Sequence, residues 1–171
     1  MNKTLIKIII LSFFFGACSS SKKIYSSAKK LDCDKKICFV FDRDSNFAPL
    51  TKNGDHFGDS KFPDYESIFI SSVMDFAENS KLDIENSAAV GIPTKSVDYV
   101  KIKIEKIDWT FTFFSAKMDV HLIYEINNQI IPLVGENHIN IFFFGTKKGQ
   151  LYKSLLNGHY SFLQSYCYNL N

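Results

Sequence analysis

The chain lacks a membrane-spanning run. Its apolar stretch near the start, Ile8 to Phe15 with Ser12 inside it, is far shorter than the roughly 20 residues that cross a hydrocarbon core. It lacks GxSxG, HExxH and P-loop patterns, so it offers no nucleophile elbow, helical zinc pair or phosphate cradle. It also lacks a charge surplus. Two of the 20 basic residues, Lys3 and Lys7, precede Cys18, and none of the 18 acidic residues does; the rest of the chain is formally neutral. Nucleic acid is therefore not an expected partner. Cysteine is scarce, at four residues, with no second pair or paired histidine at zinc-ligand spacing. Carboxylates are scattered rather than paired. No enzyme activity, cofactor or metal is expected.

What is present begins at the N-terminus. Lys3 and Lys7 give a basic start, Leu5 to Phe15 is mostly apolar, and Gly16-Ala17 are small. That is the pattern of a secretory signal peptide over 1–17. Cys18 follows at once, and Gly16-Ala17-Cys18 resembles the lipobox of bacterial lipoproteins, in which the cysteine is acylated. Phe15 departs from the aliphatic residue usual there. The resemblance implies lipidation at Cys18 and a membrane partner through the lipid. Each buried methylene of such an anchor contributes about 0.8 kcal/mol. Ser19 after the cysteine points to the periplasmic face of the outer membrane, by a sorting rule that some Gram-negative groups follow. The next residues, SSSKKIYSSAKK, are small, polar and basic, so 18–32 is expected to be a flexible tether. Residues 33–171 then suit a single domain.

With Cys18 acylated, Cys33, Cys38 and Cys167 remain, an odd set with room for one bridge and one free thiol. Cys33–Cys38 is preferred for proximity. A bridge from Cys167 to either one is the alternative if the C-terminal helix packs beside the first strand.

The folded part alternates in kind. Ile37 to Phe41 is a short apolar run suited to a buried strand, and 42–62 reads as a polar loop. Pro63-Asp64 opens a helix whose Tyr65, Ile68, Phe69, Val73 and Phe76 share a face. Leu82 and Ile84 suggest a short edge strand. Val100, Ile102 and Ile104 then alternate with polar residues, but the apolar phase slips by one to Ile107, Trp109, Phe111 and Phe113. A slip of one residue reverses every later side chain, so a bulge near Glu105-Lys106 is expected. Met118 to Ile126 alternates again, Asn127-Asn128-Gln129 turns, and a further strand carries Pro132 and Gly135. A helix from Gln150 closes the chain, with Gly158 marking close packing on the sheet. The expected fold is α+β: an antiparallel or mixed sheet of about four to five strands, with two helices on one face.

This order resembles small periplasmic lipoproteins that assist ABC-type transporters, and YajG-like lipoproteins. The carriers are Cys18, FVFDRD at 39–44, YVKIKIEKIDW at 99–109, AKMDVHLIYEI at 116–126 and the last helix. The resemblance implies a non-catalytic auxiliary or assembly component of a cell-envelope complex, with another envelope protein as partner. A lipid-binding or small apolar ligand-binding module, and an immunity lipoprotein against an envelope-acting toxin, are the other roles the sequence admits.

Aromatics supply the candidate surface. WTFTFF, 109–114, holds the only tryptophan. Alternation places Trp109, Phe111 and Phe113 on one buried face and Phe114 on the other. Phe142 and Phe144 pose the same problem, so Phe114, Phe142 and Phe144 are the interaction candidates. The histidines weigh less. His56 with Asp55 and Asp59 reads as a turn. His121, near Asp119 and Glu125, and His138 read as a solvated sheet face. His159 reads as a hydrogen-bonded core residue. Asp42 to Asn46 opens like a calcium loop but has Phe47 and Asn53 where Gly and Glu are required.

Overall fold

The computed structural model describes residues 19–54, 63–140 and 146–168. Chain order is α1 (Ser19–Ala28), β1 (Lys36–Phe41), a 3-10 turn (Arg43–Phe47), β2 (Leu50–Asn53), α2 (Tyr65–Ser80), β3 (Ile84–Ser87), β4 (Val97–Phe111), β5 (Ser115–Ile126), β6 (Gln129–Asn140) and α3 (Lys147–Tyr168). The described strands form one six-stranded mixed sheet in the order β3-β1-β4-β5-β6, with β2 also on β4. Strands β1 and β2 run parallel to β4, while β4, β5 and β6 form the antiparallel meander.

The α+β class and mixed sheet match expectation; the element count does not. β2 falls inside the predicted loop. LTKN carries no strand signal of its own and becomes a strand by pairing with Ile107–Thr110. β1 and β2 thus form one interrupted edge along β4. Asp42 caps the 3-10 turn that fills the gap, its carboxylate accepting from Asp44 N at 3.1 Å. Opposite the gap, the amide of Ile104 has no strand partner and donates instead to the buried Oγ of Ser45 at 2.9 Å. The expected bulge lies here: register passes from Ile104↔Leu122 to Lys106↔His121, leaving Glu105 unpaired.

The segment predicted as a flexible tether, 18–32, is helical over Ser19–Ala28, and Ala28 and Leu31 are buried. The sheet therefore carries three helices in place of two, sharing one core with one of its faces. The Tyr25 hydroxyl donates to that of Tyr152 at 3.0 Å, which itself donates to Asp75 at 2.5 Å, linking α1, α3 and α2. Few apolar residues in α1 face the body, so its order comes from these contacts rather than from its own pattern.

α2 starts as read, with the Asp64 carboxylate accepting from Ser67 N at 3.1 Å. Its C-cap, Lys81, takes the left-handed conformation. The β5–β6 hairpin turns on Asn127 and Asn128, both at positive φ, as a two-residue primed turn requires. α3 crosses β6 at two glycines. A methyl on Gly135 would strike the Ser154 carbonyl, and one on Gly158 would strike Leu122.

Candidate functional site

The aromatic end of β4 runs from a buried tryptophan to two exposed phenylalanines. Trp109 is buried, Phe111 is partly buried, and their rings are 4.5 Å apart. Phe113 does not join them. It is 83% exposed, against the expected burial, and Phe114 is 60% exposed. The reason is local: β4 ends at Phe111, so alternation stops before Phe113. Thr112 and Ser115 close the turn, with Thr112 N donating to Ser115 O at 2.8 Å and Ser115 N donating to Thr112 Oγ1 at 3.1 Å. The two rings are carried outward as an edge-to-face pair, 4.6 Å between centroids. Lys147, in the first turn of α3, lies over the Trp109 ring at 5.4 Å. Cys18, His56, Phe142 and Phe144 lie outside the described residues.

The cysteines pair differently from the preferred reading. Cys33 bonds Cys167, with 5.1 Å between their Cα atoms, and Cys38 is free and buried. Cys38 cannot serve Cys33 because it sits within β1 on the sheet face away from the helices. Its neighbours Ile37 and Phe39 point into the core. Its thiol donates to Glu85 at 3.1 Å, and burial, with Glu85 beside it, pushes the thiol up to about 11. Such a thiol is a weak nucleophile.

His159 is the core histidine its helix position implied. Its Nε2 is 3.1 Å from Ser72 Oγ and its Nδ1 is 3.1 Å from the Tyr124 hydroxyl. Ser72 gives its own proton to Phe69 O at 2.7 Å, so Nε2–H donates to Ser72 and Nδ1 accepts from Tyr124. Burial holds the imidazole neutral, pushing its pKa down to about 3.

His121 meets neither Asp119 nor Glu125. Its Nε2 lies 2.9 Å from Asp108, one strand over, which also binds Lys106 at 2.9 Å. Lys106 and then His121 hold the Asp108 carboxyl below the usual carboxylate range. Asp119 pairs with Lys117 at 3.0 Å. Asp98 is buried and takes Lys35 at 3.1 Å and the Tyr166 hydroxyl, with burial and then Asp98 raising the tyrosine pKa. Asp108 through His121 and Asp98 through Tyr166 thus link separate elements, while Asp119–Lys117 lies within β5. Among the described residues no three His, Cys, Asp or Glu side chains gather to hold a metal.

Two features had no sequence signal. A cleft of about 320 Å³ opens at the far end of the sheet, lined by Val90, Pro93, Tyr99, Lys101 and Glu125 and by the Asn127-Asn128 turn. Under α3, Trp109 Nε1, Asn137 Nδ2 and Gln150 Oε1 are buried without hydrogen-bond partners. Trp109 and Asn137 are aligned through Met118 across three strands.

No family model matches the chain, and no curated protein matches it. Two solved structures are similar at low identity. One is an uncharacterized protein, 7% identical, at a TM-score of 0.42, covering 82% of this chain and 95% of its own. The other is the hypothetical protein CT253 from Chlamydia trachomatis, 7% identical, at a TM-score of 0.39, covering 80% and 95%.

Proposed function

We propose that this chain is a lipid-anchored lipoprotein of the cell envelope with a non-catalytic role, an auxiliary or assembly component of an envelope complex. The observation that carries the reading is Gly16-Ala17-Cys18 at the close of a basic, apolar leader, directly ahead of the helix that opens the folded body. The Cys33–Cys167 bridge supports it, because such bonds persist in oxidising compartments. The chemistry of the titratable groups agrees: Asp108, Asp98 and His159 each join separate elements. The transporter-assisting and YajG-like lipoproteins supply the model for the role, and the periplasmic face of the outer membrane is the proposed site.

Mass spectrometry of the mature N-terminus tests the anchor. A diacylated or triacylated Cys18 is expected, and Cys18→Ser is expected to leave the membrane fraction. An unmodified Cys18, or cleavage at another bond, overturns the reading. Crosslinking in cells followed by affinity capture tests the role; recovery of one envelope complex with the native chain, lost with Cys18→Ser, is the expected result.

A further inference from the structure

We propose that the Phe113–Phe114 turn is a membrane-contacting element that seats in the interface of an anionic phospholipid surface, on the same end of the domain as the anchor. The placement of the anchor rests on the reading above; the lipid affinity of the turn does not.

Three observations converge. The first is apolar. Phe113 and Phe114 lie on a turn closed by Thr112 and Ser115 and are 83% and 60% exposed. Exposed aromatic rings suit the boundary between headgroups and acyl chains.

The second is polarity of the fold. Lys147 over Trp109 puts the start of α3 at the end where β4 runs out. The Tyr166 bond to Asp98 puts the other end of α3 where β4 begins. The N-terminal chain runs alongside α3 in the same sense, from Tyr25 against Tyr152 to Cys33 against Cys167. Ser19 lies six residues before Tyr25, about 9 Å along a helix. The helix that follows Cys18 is thus entered from the turn's end. It is also docked, so little slack separates a lipid on Cys18 from the domain.

The third is charge. The start of α3 carries Lys147, Lys148 and Lys153, and 146–153 contains no acidic residue. α1 adds exposed Lys22 and Lys23 and has no acid. Asp75 of α2 meets this segment through the Tyr152 hydroxyl, and on the sheet Asp108 and Asp119 are paired with Lys106 and Lys117. A basic, aromatic end complements anionic headgroups over an apolar layer.

The sole tryptophan is a native reporter, because Trp109 lies beside the turn. Residues 18–171 carrying Cys18→Ser are mixed with phosphatidylethanolamine–phosphatidylglycerol vesicles containing brominated acyl chains. Trp109 fluorescence is expected to be quenched. A reporter moved to the far end by Trp109→Phe with Ile92→Trp is expected to stay bright. Phe113→Ser with Phe114→Ser is expected to weaken vesicle binding at least about tenfold, because burying one phenylalanine already exceeds the energy of a decade in affinity. Its melting temperature is expected to stay unchanged. Unquenched Trp109, equal binding by the double variant, or quenching at Ile92→Trp overturns the proposal. So does loss of a protein crosslink in the double variant with vesicle binding intact, which assigns the turn to a protein partner. An acylated Cys18 with unquenched Trp109 rejects the turn alone, and a bare Cys18 with quenched Trp109 rejects the anchor alone.

Discussion

The Tyr124 hydroxyl donates to His159 Nδ1 at 3.1 Å, and both residues are wholly buried. With Ser72 on the other ring nitrogen, the contact joins β5 to α3 and α3 to α2 in one hydrogen-bonded chain. Every polar atom on the imidazole has a partner, which is the condition for placing a histidine in a core.

That arrangement sets a pH dependence. An unfolded histidine titrates near 6.5, whereas burial pushes His159 down to about 3. Above the unfolded value both states are neutral and stability is full. As pH falls below it, the unfolded chain takes up a proton that the folded one refuses. Stability is expected to drop by about 1.4 kcal/mol per pH unit from this group and to level below the folded value. Carboxylates lowered by their partners, such as Asp108 and Glu85, act only at more acid pH. Urea midpoints between about pH 6 and 4.5, compared between the native chain and a variant of this histidine, read its contribution. His159→Gln is expected to flatten the profile there; parallel profiles would refute the assignment.

The bridge from Cys33 to Cys167 closes a loop with a sequence separation of 134. Loops of that size are worth about 4–5 kcal/mol in the chain-entropy model. Cys33→Ser and Cys167→Ser are each expected to lower the melting temperature markedly, and reduction to do the same to the native chain. Cys38→Ala is expected to leave the bridge intact. Non-reducing peptide mapping reads the pairing directly, and a Cys33–Cys38 peptide would contradict it.

Ser45 is a single side chain standing in for a strand partner. Ser45→Ala leaves the Ile104 amide buried and unpaired, a loss of about 1–3 kcal/mol. Denaturant melts give the cost. Amide exchange at Ile104 is expected to quicken more than at Asp42, whose N–H keeps its bond to the Ile102 carbonyl at 2.8 Å.

Gly158 sets the distance between α3 and the sheet. Gly158→Ala gains helix propensity but drives a methyl toward Leu122 and Tyr124. Overpacking of this kind costs about 1–3 kcal/mol. A lowered melting temperature is expected; a raised one would show that the helix moves away freely.

Asn137→Leu is expected to leave stability unchanged or raise it. The replaced amide nitrogen is buried and unpaired, and an apolar group of similar shape removes that penalty. A drop of several degrees in the melting temperature would mean the amide has a partner in solution.

Much of the fold was legible because each signal was local. Strand alternation in β4 and β5, the slip at Glu105, the Asp64 cap and the Asn127-Asn128 turn depend on residues a few positions apart. The same was true of His159, whose apolar helix face announced burial. Tertiary structure alone decided the rest. β2 is a strand because Ile107–Thr110 offers it an edge, not because LTKN prefers one. α1 is ordered because Ala28, Leu31 and Tyr25 find the body, although its composition reads as a tether. Cys33 reaches Cys167 because the two ends of the domain meet along α3, a relation no spacing encodes. Phe113 is exposed because its strand stopped two residues earlier. Periodicity tells which face of an element is apolar; it cannot tell where the element ends or what lies against it, and those are set by the packing of distant segments.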